Sequence, residues 1–315
     1  MIDYKQKAKA FRALLEEFAR VTLLMHKRPD GDTLCSALAL FESLKQEKIS
    51  CEVVCIDRDL PMQYKFLKGF SKIKHKIDFE NSLIITLDCA SSSRVGFDIS
   101  SRRVVNIDHH ASNTNFGLLN IVEIEVATTL VLYKLLKEGF CINRDVASAI
   151  YAGLLSDSIN FTTSLVKKET FVYAAEIVSY GVDIVEVSNY VNRYNSLAHF
   201  RAKQIAMSHL ELFFDAKLAL SFLDEPDFRA SGARVSDIDG IIDEFIALAV
   251  VEVAVLITNI DGLIKVSMRS KNLDVSQIAL AFGGGGHKNA AGFEAKNSTI
   301  LDIKNRLLEK IKDRI

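Results

Sequence analysis

VVNIDHH (residues 104–110) is a β-rich run that ends in one Asp and two His side chains. Three similar runs precede it, VTLLMH (21–26), CEVVCI (51–56) and SLIITLD (82–88). Apolar residues at helical spacing occupy the stretches 34–46, 127–139 and 144–157. Strands that alternate with amphipathic helices predict an α/β domain, built on a parallel sheet with helices on both faces.

The last third of the chain predicts a second, smaller α/β domain. Strands are expected at 217–223, 251–260 and 263–270, with a hairpin turn at Asp261 and Gly262. Helices are expected at 236–248, 275–281 and 299–315. A polar helical stretch at 196–211 predicts a connecting helix, so the expected domains are 1–195 and 212–315.

Composition excludes several classes of protein. The 315 residues carry 39 Lys+Arg against 40 Asp+Glu, so no global positive field would hold a long nucleic-acid duplex. We find no apolar signal core near the start and no apolar run long enough to cross a bilayer, which predicts a cytoplasmic protein without membrane contact. The odd number of cysteines, 5, argues against a disulfide framework, and Cys51 and Cys55 are expected to be buried thiols rather than half of a zinc site.

Polar side chains follow the predicted strands of the first domain. His26, Asp88 and Asp108 each stand at the end of an apolar run, and ligands bind at the carboxyl ends of such strands. In HKRPDGD (26–32), the imidazole of His26 and the carboxylates of Asp30 and Asp32 would form half of a divalent-metal site. The alternative is a Pro-Asp-Gly turn in which Asp32 caps the next helix.

The Asp108-His109-His110 run is the most specific of these segments. Neighbouring residues at a strand end point in different directions, so one His can ligate a metal while the other faces substrate. Asp88 and Asp157 supply further carboxylates, although each alone also suits a turn or a helix cap. Nitrogen and oxygen ligands for two cations about 3.5–4 Å apart would come from His26, Asp30, Asp32, Asp88, His109 and Asp157.

A glycine run marks the second domain. Its backbone N–H groups would let a phosphate approach closely, particularly if a helix began at His287 or Lys288. A flexible loop is the alternative. Arg269 could reach the same anion by a bidentate contact, with Ser270 beside it. The candidate phosphate-binding residues are therefore Arg269, Ser270, Gly283, Gly284, Gly285, Gly286 and His287.

These segments, in this order, resemble the DHH phosphoesterase superfamily. HKRPDGD, Asp88, the DHH run at 108–110 and Ser-Asp at 156–157 match its four N-terminal motifs, and residues 266–293 are similar to the DHHA1 domain. The compact arrangement resembles the nanoRNase and pAp-phosphatase group. That resemblance implies hydrolysis of very short oligonucleotides and of 3′-phosphoadenosine 5′-phosphate, and leaves a homodimer open.

The resemblance also implies roles for the individual residues. One Mn²⁺ would be held by His26, Asp30 and Asp88 and the other by Asp32, Asp88, His109 and Asp157, with Mg²⁺ or Co²⁺ as alternative ions. Asp88 would bridge the two ions, and a hydroxide between them would attack phosphorus in line. Asp108 would steer His109, and His110 would contact the scissile phosphate. The second domain would bind the rest of the substrate and close over it.

Two positions depart from the family pattern, with Arg28 in place of a common Asn and Cys35 in place of a Gly. Our hypotheses are that Arg28 alters phosphate contacts and that Cys35 makes the site sensitive to oxidation. A phosphodiesterase for linear or cyclic dinucleotides (pGpG, pApA or cyclic di-AMP) is the alternative activity. A processive RecJ-type exonuclease or an inorganic pyrophosphatase fits less well. The alternative from a different functional class is a nucleotide-binding regulator without catalytic activity, since a fold does not fix a function.

Overall fold

The computed structural model of the chain describes residues 2–315, which divide into two units at Tyr194 and Asn195. The first unit contains a five-stranded sheet of order β2-β1-β3-β4-β5, in which every neighbouring pair is parallel. Its strands are β1 Val21–Leu24, β2 Cys51–Val54, β3 Leu83–Leu87, β4 Val104–Asp108 and β5 Leu119–Val122. The α/β class and its parallel sheet are confirmed.

Six helices of the first unit share one large apolar core with one face of the sheet. They are α1 Tyr4–Glu17, α2 Gly31–Gln46, α3 Thr128–Leu136, α4 Arg144–Asp157, α5 Lys168–Val178 and α6 Ile184–Arg193. Helix α2 is buried continuously as far as Leu44, which fixes its first turn firmly against the sheet. The other face of the sheet packs against Val95, Ile99 and Phe116. Loops and a 3₁₀ turn at Ser92–Arg94 lie there, where helices were also expected.

The second unit contains a six-stranded sheet of order β10-β11-β9-β8-β7-β6. Its strands are β6 Glu211–Phe213, β7 Leu218–Leu223, β8 Val253–Ile260, β9 Leu263–Ser270, β10 Gly285–His287 and β11 Ala290–Lys296. Its helices are α7 Leu197–Ser208, α8 Glu225–Ser231, α9 Ile241–Ile246, α10 Val275–Ala281 and α11 Ile300–Lys312. Strands β7 and β8 are parallel, and the other pairs are antiparallel. Apolar clusters cover both faces.

The predicted hairpin turn between β8 and β9 is confirmed. Ile260 pairs with Leu263, and the two turn residues have positive φ, 51° at Asp261 and 72° at Gly262. Two such residues in succession match the twist of the flanking strands. The long helix expected at 236–248 is shorter, because Gly240 (φ 82°) separates a 3₁₀ turn from α9.

No helix starts at His287 or Lys288, which was the condition that would have favoured phosphate binding most. Gly285–His287 forms strand β10, which pairs with β11. A Cβ on Gly286 would lie 2.5 Å from the carbonyl oxygen of Ala290, and one on Gly284 would lie 2.2 Å from that of Gly292. These two glycines therefore serve the close approach of β10 to β11. A helix N-terminus is therefore not available to bind phosphate at these residues.

Candidate metal centre

The first unit brings eight predicted side chains to the carboxyl edge of its parallel sheet. His26 and Asp88 follow β1 and β3, Asp108 ends β4, and the remaining residues lie beside them in the chain or on α2 and α4. Asp30 is the N-cap of α2, and Asp32 lies in its first turn. Asp157 is the last residue of α4. The topology of parallel strands accounts for this convergence, because their carboxyl ends share one edge.

A first group of possible metal ligands consists of His26, Asp30 and Asp88. The Nε2 atom of His26 lies 3.8 Å from Asp30 Oδ2 and 3.5 Å from Asp88 Oδ2. The other ring nitrogen, Nδ1, lies 2.8 Å from the carbonyl oxygen of Lys27, which can only accept a hydrogen bond. In a neutral imidazole, the proton therefore sits on Nδ1, and the Nε2 lone pair faces the two carboxylates.

A second group consists of Asp32, His109 and Asp157. His109 Nε2 lies 3.6 Å from both Asp157 Oδ2 and Asp88 Oδ1. Its Nδ1 atom lies 2.9 Å from the carbonyl oxygen of Glu125, so the same tautomer argument directs its Nε2 lone pair toward the carboxylates. Each group presents nitrogen and oxygen donors within 4.8 Å of one another.

Asp88 lies between the two groups. Its Oδ2 atom faces His26, and its Oδ1 atom faces His109 and His110. The residue has a left-handed backbone (φ 58°), which Asp tolerates better than most side chains, and its N–H donates to the carbonyl oxygen of Ile107 at 2.9 Å. The side chain is 3% exposed. One buried carboxylate is thus placed to serve both groups.

Asp108 orients His110 rather than His109, which corrects our expectation. Its Oδ1 atom accepts a hydrogen bond of 2.8 Å from His110 Nδ1, and its Oδ2 atom accepts one of 2.5 Å from Asn113. The reason is that the carbonyl oxygen of Glu125 already pairs with Nδ1 of His109. Asp108 is fully buried, so these contacts fix the orientation of the His110 ring.

The electrostatics of the cluster favour a bound cation. In the described part of the chain, the ion pairs of these carboxylates are with imidazoles. Burial alone lowers the pKa of His26, but Asp30 and Asp88 outweigh it and raise that pKa to about 10. Burial also lowers the pKa of His109, but the carboxylates of Asp88, Asp32 and Asp157 outweigh it and raise that pKa to about 9.

The close spacing of charged groups also shifts the pKa values of the carboxylates. Burial raises the pKa of Asp157 to about 7, and burial together with Asp88 and Asp157 raises that of Asp32. Burial also opposes ionisation of Asp88, but the imidazoles hold its pKa well below the usual range. Divalent cations would provide the charge that protons on His26 and His109 provide otherwise.

The donor set fits hard or borderline divalent ions. Four carboxylates suit Mn²⁺ and Mg²⁺, and the two imidazoles add nitrogen ligands of the kind that borderline ions accept. The separations of 3.5–3.8 Å between His26 Nε2 and the carboxylate oxygens exceed a hydrogen bond. They are only slightly longer than the roughly 3 Å between neighbouring ligands of an octahedral ion.

Cys35 does not behave as our hypothesis supposed. The side chain is fully buried, and burial together with the charges of Asp32 and Asp30 raises the pKa of its thiol well above the usual value. Oxidants attack the exposed thiolate form, so this cysteine is protected rather than sensitive. Arg28 has a left-handed backbone (φ 54°), a conformation that suits the Asn common in the family, and its N–H donates to Asp57.

Several residues around the carboxylates were missed in the sequence. Thr33 and Thr128 donate hydroxyl hydrogen bonds to Asp88, and Thr129 donates one to Asp32. The available signal was their position in the first turns of α2 and α3, close to the starts of the helices predicted at 34–46 and 127–139. Arg94 was also missed. Its side chain is exposed, and its guanidinium lies 3.5 Å from His26 Nδ1. The proton on that nitrogen is already donated to the backbone carbonyl oxygen of Lys27.

In the second unit, strand register aligns two of the predicted phosphate-binding residues. Ala290 pairs with His287 on one side and with Arg269 on the other, so these three residues form one row across the sheet. Side chains of paired residues share a face. Arg269 donates to Asp243 at 3.2 Å and is 36% exposed, whereas Ser270 is only 7% exposed. Gly283 (φ 79°) follows α10, and Gly285 is exposed.

Comparisons with known proteins match both units. Residues 20–154 match the model of the DHH family, N-terminal domain, and residues 215–315 match that of the DHHA1 domain. The bifunctional oligoribonuclease and PAP phosphatase NrnA of Thermus thermophilus is 29% identical over 304 residues, 94% of this chain and 90% of that protein. The cyclic-di-AMP phosphodiesterase PdeA of Listeria monocytogenes is 24% identical over 96% of this chain but 49% of its own length.

Among solved structures, an exopolyphosphatase-related protein from Bacteroides fragilis has the same fold. The TM-score is 0.87 at 23% identity, and the match covers 98% of this chain and 97% of that protein. As for membrane spans, none of the helices within residues 2–315 has the length and apolar character needed to cross a bilayer.

Proposed function

We propose that this chain, which belongs to the DHH family and carries a C-terminal DHHA1 domain, hydrolyses short oligoribonucleotides and 3′-phosphoadenosine 5′-phosphate in a metal-dependent reaction. The observation that carries the proposal is the placement of Asp88 between two groups of His and Asp ligands with fixed imidazole tautomers. The similarity to NrnA over most of both chains supports the choice of substrate.

His26, Asp30 and Asp88 would hold one ion, and Asp32, Asp88, His109 and Asp157 would hold the other. We propose Mn²⁺, with Mg²⁺ and Co²⁺ as alternatives. When bound, two such ions lower the pKa of water and neutralise charge on the phosphoryl oxygens. The chain contributes by holding these ligands rigidly, since His26, Asp32 and Asp88 are each almost completely buried.

His110 would donate a hydrogen bond to the scissile phosphate. Burial lowers its pKa, but the hydrogen bond from Nδ1 to Asp108 and the charge of Asp88 outweigh burial, so the pKa is raised. A protonated imidazole donates through both ring nitrogens. With Nδ1 committed to Asp108, Nε2 can donate to a phosphoryl oxygen as the charge there increases, which stabilises the transition state.

The DHHA1 unit would bind the remaining phosphate or nucleotide of the substrate. Arg269 and His287 share one row of its sheet, and a guanidinium suits bidentate contact with a phosphate. The glycines of residues 283–286 would let a phosphate approach the backbone of β10. Ser270 is the weakest member of this set, because its side chain is buried.

The second candidate is hydrolysis of linear or cyclic dinucleotides such as pGpG, pApA and cyclic di-AMP. It is favoured by the similarity to PdeA, although this chain matches only about half of that protein. The same ligands would serve either reaction, because both are attacks of water on the phosphorus of a phosphate ester. The match to NrnA covers nearly all of both chains, and this favours the first candidate.

A substrate panel tests the proposal. Purified protein with Mn²⁺ would be assayed on 3′-phosphoadenosine 5′-phosphate, pApA, pGpG, cyclic di-AMP and RNA chains of increasing length from the dinucleotide upward. We expect fast hydrolysis of the bisphosphate and of the shortest RNA, with a steep fall in rate as the RNA lengthens. Equal rates on long single strands would contradict the proposal, and fast hydrolysis of cyclic di-AMP alone would establish the second candidate.

A further inference from the structure

We propose that Thr33 and Thr128 are paired positioning residues, each of which directs one oxygen of Asp88 toward one of the two metal-binding groups. The inference rests on the proposed metal-dependent function and goes beyond it, because it assigns a separate half of the centre to each threonine. Both side chains are completely buried.

Thr33 connects the two carboxylates of the first group. Its backbone N–H donates to Asp30 Oδ1 at 3.0 Å, and its hydroxyl lies 2.6 Å from Asp88 Oδ2. The hydroxyl also lies 3.0 Å from Asp30 Oδ1, but it has a single proton to donate. The shorter contact, together with the backbone N–H already on Asp30, assigns that proton to Asp88. The same Asp88 oxygen faces His26.

Thr128 repeats this arrangement on the other side. Its backbone N–H donates to Asp32 Oδ2 at 2.5 Å, and its hydroxyl donates to Asp88 Oδ1 at 2.8 Å. That oxygen faces His109. Each threonine therefore uses its N–H for one carboxylate of its own group and its hydroxyl for the shared carboxylate. The two threonines lie in the first turns of different helices, α2 and α3.

This symmetry has a consequence for metal binding. A bridging carboxylate must present one lone pair from each oxygen to a different ion, and a free carboxylate would rotate between orientations. One hydroxyl on each Asp88 oxygen leaves the second lone pair of that oxygen available and fixes its direction. Residues that orient a ligand in this way typically change metal affinity by about 10- to 100-fold when they are replaced.

The test is a calorimetric Mn²⁺ titration of the full-length, metal-free protein. Thr33→Val and Thr128→Val keep the side-chain shape and the backbone N–H but remove the hydroxyl. Thr33→Ser keeps a hydroxyl at this position. Thr22→Val is the matched control, because Thr22 is equally buried in the same unit and its hydroxyl donates to Glu52, a buried carboxylate outside the centre.

Ligand variants identify which binding step belongs to which group. Asp30→Ala removes the step of the first group, and Asp157→Ala removes that of the second. We expect Thr33→Val to weaken the step that Asp30→Ala removes by about tenfold or more, and Thr128→Val to weaken the other step equally. Thr33→Ser should bind like the wild type. Thr22→Val should change neither step.

Several outcomes would overturn the inference. Mn²⁺ affinities of both Val variants within twofold of the wild type would overturn it, as would equal weakening of both steps by either variant. Unfolding temperatures of the metal-free variants would show whether the fold survives. An unfolded Thr33→Val that Thr33→Ser does not rescue would make the threonine structural. If the wild type binds no Mn²⁺, the proposed function fails as well, so the two failures are distinguishable.

Discussion

Binding of Mn²⁺ should release protons, because several of the proposed ligands have raised pKa values in the metal-free protein. His26, with a pKa of about 10, and His109, with a pKa of about 9, both carry a second proton near pH 7. Each must lose the Nε2 proton before it can ligate a metal. Asp157, with a pKa of about 7, is half protonated at that pH and loses the remainder. Filling both sites should therefore release at least the two imidazole protons, with a further contribution from the two carboxylates whose pKa is raised, Asp157 and Asp32.

The sign and size of the pH dependence follow from this count. Because protons leave when metal binds, affinity rises with pH and falls in acid. Each released proton changes the binding constant about tenfold per pH unit. The product of the two Mn²⁺ binding constants should therefore rise by at least about two powers of ten between pH 6 and pH 7.

Calorimetric titrations in buffers of different ionisation enthalpy count the protons directly. His109→Asn should reduce the count by about one. His75→Asn, which changes a histidine outside the cluster, should leave it unchanged. A binding constant that does not vary between pH 6 and pH 7, or a proton count near zero, would refute the arrangement of imidazoles and carboxylates described above.

Three further predictions concern single features of the first unit. Arg94→Ala should raise KM about tenfold with little change in kcat, because an exposed guanidinium beside His26 can bind substrate phosphate. The control is Arg103→Ala, which removes an arginine that pairs with Glu17, and the same KM for Arg94→Ala and the wild type would exclude the role of Arg94. Thiol-blocking reagents should not inactivate the native enzyme through Cys35, and mass spectrometry would reveal any adduct that contradicts this. Metal-free protein should lose stability as pH rises from about 6.5 to about 10, because folding raises the pKa of His26. Thermal unfolding in chelator measures this loss, and an unfolding temperature that does not change over that pH range would contradict the prediction.

The sequence predicted those parts of the site that follow from strand ends. His26, Asp88 and Asp108 close apolar runs, and the topology of a parallel sheet brings such residues together. The contacts that orient them could not be predicted in the same way. Whether Asp108 pairs with His109 or His110 depends on where the carbonyl oxygen of Glu125 lies, and that residue is distant in sequence.

Errors in the predicted fold have similar causes. Strand β5, Leu119–Val122, is short and only partly buried, so its pattern did not stand out from the surrounding loop. The glycine run was interpreted as a phosphate-binding segment or a flexible loop, and not as a strand. The close approach of Gly286 to Ala290 and Ala291 instead depends on pairing between two strands, which local composition does not reveal.

We propose that Asp88 is the shared ligand of a two-metal phosphoesterase. The most direct measurement is release of nucleoside monophosphate from a dinucleotide by the wild type and by Asp88→Asn, with Mn²⁺ or with chelator. Asn is the better replacement than Ala, because it tolerates the left-handed backbone at this position. We predict turnover by the wild type that is lost in chelator and restored by Mn²⁺, and only background turnover by a folded Asp88→Asn variant. Turnover that persists in chelator, or wild-type turnover by Asp88→Asn, would contradict the claim.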